Sequence, residues 1–230
     1  TIASHSFDTF LSDAKNQNIF PLWNPYIFCG MPGYGSLTLG GDRLFDLSGT
    51  AFNLLPRIGN LLHSQIGWVI FFYLLFAIGM YLLAWSKLES KIAAFITAFT
   101  TTFSTYIIIW IFFSHNTKIA VIAMFPFIFL VLEQLRTRFR WSLALLLVLL
   151  IHFLFAPSHV QMIFYTFLSV GGLLLYYLVR AFVKKEDWKG VVRVGVVFAL
   201  ASALAFGMDA DKYLSVLEYN PYSIRGSNPL

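Results

Sequence analysis

From Ile66 to Trp85 the chain runs for twenty residues without a charged side chain. As a helix rising about 1.5 Å per residue, such a run reaches roughly 30 Å, the thickness of a bilayer's hydrocarbon core. Comparable runs recur at Ile92 to Phe113, Ile119 to Leu132, Trp141 to Ala156, Val160 to Val179 and Val194 to Met208. No water reaches the backbone there, so each run must satisfy its own peptide groups as a helix. The pattern predicts an all-α polytopic membrane protein with about six transmembrane helices. A composition of 58% hydrophobic and 12% charged residues agrees. The third and fourth runs are short, and the third contains Pro126, so polar residues beside them are expected to dip toward the membrane.

Residues 1–65 read differently. Pro21 to Leu37 packs three prolines, three glycines, Trp23, Asn24, Tyr26 and Cys29 into seventeen residues. Proline fixes φ and glycine opens conformations that other residues avoid, so Gly30-Met31-Pro32-Gly33 is expected to form a rigid loop, neither helix nor strand. Thr1 to Ile19 carries a weak helical pattern (Phe7, Phe10, Leu11, Ala14). Leu44 to Leu62, broken by Gly49, Pro56 and Gly59, suits an interfacial or re-entrant segment. Three regions result: a loop region with interfacial helices (1–65), a helical membrane domain (66–208) and a polar tail (209–230) that starts a further segment. Without an initiator Met or a signal region, the chain reads as part of something longer. Its single cysteine, Cys29, forms no internal disulfide and reads as a packed loop residue.

The formal charge of +5 raises the question of nucleic acid, but the cations sit in short clusters between apolar runs. One set of connections holds ten: Lys87, Lys91, Arg136, Arg138, Arg140, Arg180, Lys184, Lys185, Lys189 and Arg193. Opposite them lie Lys15, Arg43, Arg57, Lys118, Lys212 and Arg225, outnumbered by seven acids. The positive-inside rule makes the first set cytoplasmic and places residues 1–65 outside. The charge thus reports topology, and no nucleic-acid partner is expected.

This topology gathers the unusual polar residues on the outer face: Trp23, Asn24 and Tyr26; His115, Asn116 and Lys118; His159 and Gln161; Asp209, Asp211, Tyr222, Ser223 and Arg225. Each has a plainer explanation. Trp23 and Tyr26 suit an aromatic belt, Lys118 a snorkelling anchor, and the histidines helix ends. Asp209-Ala-Asp211 has the form of a metal-binding acid pair, but a motif so short arises by chance, and Asp211 could cap a helix. No metal ligand is assigned, and the Ser and Thr residues of the second run read as helix packing.

Four motifs, PLWNPYIFCGMPGYGS, SHNTKIAVIAMFPFIFLVLEQL, PSHVQMIFYTFL and YSIRG, together resemble the bacterial YfhO-type membrane proteins of the GT-C superfamily of glycosyltransferases, over roughly residues 20–226. The resemblance implies a GT-C-like fold in the bacterial cytoplasmic (inner) membrane. It also implies transfer of a sugar from a polyprenyl-phosphate carrier to a cell-envelope acceptor on the outer face. The family's acid follows a first transmembrane helix, which is expected to precede Thr1; otherwise Asp8 or Asp13 stands in as the catalytic residue. Trp23, Asn24, Tyr26, His115, Asn116, Lys118, His159, Gln161 and Arg225 are the candidate substrate-binding residues. The chemistry needs a carboxylate for the acceptor proton and donors for the leaving phosphate. Lys118 is the foremost phosphate ligand. No cofactor is assigned, and a divalent cation is left open. The competing reading is a non-catalytic accessory or scaffold subunit whose aromatic helices pack within a larger membrane protein complex among membrane lipids. A transporter ranks third, because Pro126 alone breaks the spans.

Overall fold

The computed structural model describes residues 9, 10, 12–14, 16–18, 23–25, 30–32, 64–112, 116–185 and 187–222. Asp8, Tyr26, His115, Arg225 and the Leu44 to Leu62 segment lie outside the described residues. Two compact units are present, one formed by Thr1–Asp46 with Asp209–Leu230, the other by Leu47–Met208.

Among the described residues the second unit holds seven helices: α1 (Gln65–Leu88), α2 (Lys91–Thr102), α3 (Thr105–Phe112), α4 (Asn116–Thr137), α5 (Trp141–Phe155), α6 (Val160–Lys184) and α7 (Trp188–Met208). The chain is an all-α polytopic membrane protein. Among the described residues five stretches are long and apolar enough to cross a membrane: Ile66–Leu88, Lys91–Trp110, Thr117–Thr137, Val160–Lys184 and Trp188–Met208. The fourth expected run, α5, is the shorter apolar helix, fifteen residues long.

Helix boundaries follow local chemistry. Ser64 caps α1 by accepting the Gly67 amide at 3.0 Å, and Ser90 caps α2 through the Ala93 amide at 3.3 Å. Glu89 between them takes the left-handed conformation, φ 54°, that lets the chain reverse within two residues. The expected second run, Ile92 to Phe113, is two helices rather than one. Thr97, Thr100 and Thr101 donate to the carbonyls of Ala93, Ile96 and Thr97, and the chain breaks at Phe103-Ser104. Such back-bonding hydroxyls loosen a helix. The third run is longer than the apolar pattern suggested. Asn116–Thr137 extends past Leu132, so Lys118, Glu133 and Arg136 all belong to the helix.

Central to the bundle is α4. It packs along α1, α5 and α7 and touches α3 and α6. Of its apolar stretch 56% is buried, against 22 to 28% in the other four spans. Ile119, Val121, Ile128 and Leu135 are fully enclosed, whereas α1 and α6 turn Ile70, Leu74, Leu168 and Leu175 outward. Outward apolar side chains suit helices bathed in lipid, where tight packing rather than water exclusion holds neighbours together.

In the first unit, residues 9, 10, 12–14 and 16 are helical. The Pro/Gly stretch is not wholly free of strand: β1 (Trp23–Asn24) pairs antiparallel with β2 (Met31–Pro32), Trp23 opposite Pro32 and Asn24 opposite Met31. Gly30 makes this closure by adopting φ +114° beneath the Trp23 indole, where an added Cβ would stand 2.6 Å from the ring. The tail supplies α8 (Ala210–Tyr219), followed by a single 3-10 turn, Asn220–Tyr222.

Candidate functional site

Lys118 lies in the first turn of α4, just before the enclosed Ile119-Ala120-Val121. It is half-buried, and its ammonium stands 5.4 Å from the centre of the Trp110 ring of α3. Trp110 is itself buried and meets Tyr106 edge-on at 4.6 Å. An ammonium over an indole gains about 0.5–2 kcal/mol, more as water is excluded. Among the described residues no carboxylate pairs with Lys118. The arrangement therefore holds a positioned cation, with no carboxylate partner among the described residues, in the first turn of α4.

Phe95 and Phe99 of α2 and Phe103 at its C-terminal cap form a file, with ring centres 6.1 and 4.7 Å apart. They line an open groove of about 270 Å³ against Ala77 and Tyr81 of α1. Tyr73 of α1 donates its hydroxyl to the Thr102 carbonyl, which satisfies a backbone acceptor at the helix break. The Thr102 hydroxyl also lines the groove, 2% exposed and with no hydrogen-bond partner among the described residues.

His159 and Gln161 sit at the turn from α5 to α6, at the same end of the bundle as the start of α4. Ser158 adopts φ 60° there, and the His159 carbonyl accepts the Met162 and Ile163 amides. Gln161 is exposed and donates to the Tyr165 hydroxyl one helical turn on, at 2.9 Å. Asn116 opens α4.

Within the first unit, Asn24 is fully buried while its neighbour Trp23 is 57% exposed, as alternation along a strand requires. Asp13 is half-buried on the helical stretch. Asp209 is fully buried and Asp211 exposed, so the two acids of the short motif do not share a surface. The cap position of α8 belongs to Asp209 rather than Asp211, which instead lies in the first turn, where the helix dipole favours a negative charge. No group of three or more His, Cys, Asp or Glu that could hold a metal ion occurs among the described residues.

One cluster escaped the sequence reading, which took the cation-rich end only as a report of topology. Glu133 of α4 forms an ion pair with Lys87 of α1 at 2.9 Å and accepts a hydrogen bond from the Tyr177 hydroxyl of α6. Arg136 approaches the same carboxylate at 3.5 Å and stacks over the Tyr177 ring at 4.4 Å. Arg193 of α7 donates to the Leu135 and Arg136 carbonyls at 3.4 Å, meeting acceptors that the last turn of α4 leaves open. Three helices thus converge on one carboxylate that is 14% exposed. The legible signal was that Glu133 is the sole acid inside the five span-length stretches, three residues before an arginine.

No family model, no curated protein and no solved structure matches this chain.

Proposed function

We propose that the chain acts on the outer face of the bacterial cytoplasmic membrane, transferring a sugar from a polyprenyl-phosphate carrier to a cell-envelope acceptor. The observation that carries this reading is Lys118, held over Trp110 with no carboxylate partner among the described residues, in a bundle that also holds a groove walled by phenylalanines between α1 and α2. A phosphate at the lipid edge needs a cation that is fixed and uncompensated, and an isoprenoid chain needs an apolar, aromatic wall. In the reaction an acceptor oxygen bonds to the anomeric carbon as the bond from that carbon to the carrier phosphate breaks. The acceptor's proton passes to a carboxylate, and Lys118 stabilises the leaving phosphate. His115, Asn116, His159 and Gln161, of the same unit as Lys118, are further candidate contacts to the phosphate; the sequence candidates for the carboxylate, Asp8 and Asp13, and for contact to the sugar, Trp23, Asn24, Tyr26 and Arg225, belong to the other unit. The test is transfer of a radiolabelled sugar from polyprenyl phosphate by the purified chain in proteoliposomes. Carrier-dependent transfer supports the reading, and its absence alongside unsaturable carrier binding overturns it.

A second reading, a non-catalytic subunit of a membrane complex, is favoured by Gly171 and Gly172 of α6. A Cβ at either would meet nothing within 4 Å, between the outward Leu168 and Leu175. Small residues on an outward helix face admit close approach of a partner helix. Gly172→Leu separates the readings: it disrupts assembly if α6 docks a partner and leaves sugar transfer intact if the chain works alone.

A further inference from the structure

At the cation-rich end, a cleft of about 450 Å³ opens between the last turn of α1 and α4, lined by Leu82, Trp85, Ser86, Glu89, Leu130 and Gln134. Its walls grade from apolar to polar over two helical turns. Leu82 and Leu130 lie nearly two turns before the ends of α1 and α4, while Glu89 and Gln134 lie at or near those ends. Trp85 is 42% exposed at that level, an interfacial position, and Lys91 lays its ammonium 5.7 Å from the Trp85 ring.

The charges are the telling part. Glu89 and Lys91 are two residues apart across the chain reversal, yet no ion pair joins them among the described residues. Glu89 lines the cleft from the left-handed turn that ends α1, and the Lys91 ammonium stands against the ring of Trp85, which forms one of the cleft's walls, so a carboxylate and an ammonium lie at or beside the same cleft. The nearby Lys87 is committed to Glu133. An anionic headgroup would meet Glu89 in repulsion, and a wholly apolar occupant would bury the Glu89 carboxylate and the Gln134 amide against hydrocarbon, whereas Ser86 already donates to the Leu83 carbonyl.

We propose that this cleft binds a zwitterionic aminophospholipid of the adjacent leaflet. Its primary ammonium is held by Glu89 and the Gln134 amide oxygen, its phosphate by Lys91, and its acyl chains lie along Leu82 and Leu130. The primary amine matters because it donates hydrogen bonds to a carboxylate, which a trimethylammonium group cannot do. The site stands apart from the Lys118 end and does not depend on the sugar-transfer reading.

Native mass spectrometry of the full chain released from mixed nanodiscs, holding equal phosphatidylethanolamine, phosphatidylcholine and phosphatidylglycerol, tests the assignment. The wild-type chain should retain phosphatidylethanolamine over phosphatidylcholine by about tenfold, the value of one charge-assisted hydrogen bond. Glu89→Gln should abolish that preference, and Lys91→Ala should lower retention of both zwitterionic lipids. Glu89→Asn, which tolerates the left-handed backbone, serves as a second variant should the first fail to fold. Equal retention of all three lipids, a preference for phosphatidylglycerol, or an unchanged preference in both Glu89 variants would overturn the proposal.

Discussion

Gly79 of α1 and Pro126 of α4 meet without room for a methyl group: a Cβ on Gly79 would stand 2.5 Å from the proline Cγ and 2.8 Å from the Phe127 ring. Pro126 removes one backbone hydrogen bond from the most enclosed helix, and its ring projects into a slot that only glycine leaves open. Gly79→Ala improves local helix propensity but overpacks this contact, at a net cost of about 1–3 kcal/mol. Thermal unfolding in detergent should show a lowered midpoint, and Gly79→Leu should prevent stable folding. An unchanged midpoint for Gly79→Ala would mean that the two helices part easily.

At the cation-rich end, Tyr177→Phe removes the hydroxyl that α6 donates to Glu133. A hydrogen bond to a charged acceptor contributes about 1.5–3 kcal/mol, here reduced because Lys87 is 45% exposed and water can enter. The expected loss is about 1–2 kcal/mol. A double-mutant cycle with Glu133→Gln should give a coupling of at least about 0.5 kcal/mol. Additive losses would show that α6 is held by apolar contact alone.

The break between α2 and α3 yields a pair of opposite expectations. Tyr73→Phe removes the donor to the Thr102 carbonyl and should destabilise by about 1 kcal/mol. Thr102→Val keeps the shape and removes a buried hydroxyl that has no partner among the described residues, so stability should hold or rise. Chemical denaturation of both variants checks the pair, and a destabilised Thr102→Val would mean that its hydroxyl has a partner in the membrane.

Much of the fold was legible because lipid leaves the chain few choices: an uncharged run such as Ile66 to Trp85 must be helical there. Helix ends were less legible. Apolar pattern alone stopped the third run at Leu132, whereas α4 continues through Thr137 because Glu133 and Arg136 find partners on α1 and α6, contacts that hydropathy does not encode. The split at Phe103-Ser104 depends on where threonine hydroxyls point, and the Trp23–Pro32 pairing on Gly30 passing under an indole. Of the candidate site, the foremost residue, Lys118, has a defined setting on Trp110, while Gln161 bonds its own helical neighbour. Asp13, Trp23 and Asn24 belong to the first unit and Lys118, His159 and Gln161 to the second.

Sugar transfer by Lys118→Ala from a defined polyprenyl-phosphate donor, with folded protein measured in parallel, tests the central claim most directly. Loss of the phosphate contact should cut transfer by about a hundredfold or more, with the unfolding midpoint little changed. Lys118→Arg should recover part of the rate because it restores the cation. Wild-type turnover in Lys118→Ala would contradict the account and remove this lysine from any role with the carrier phosphate.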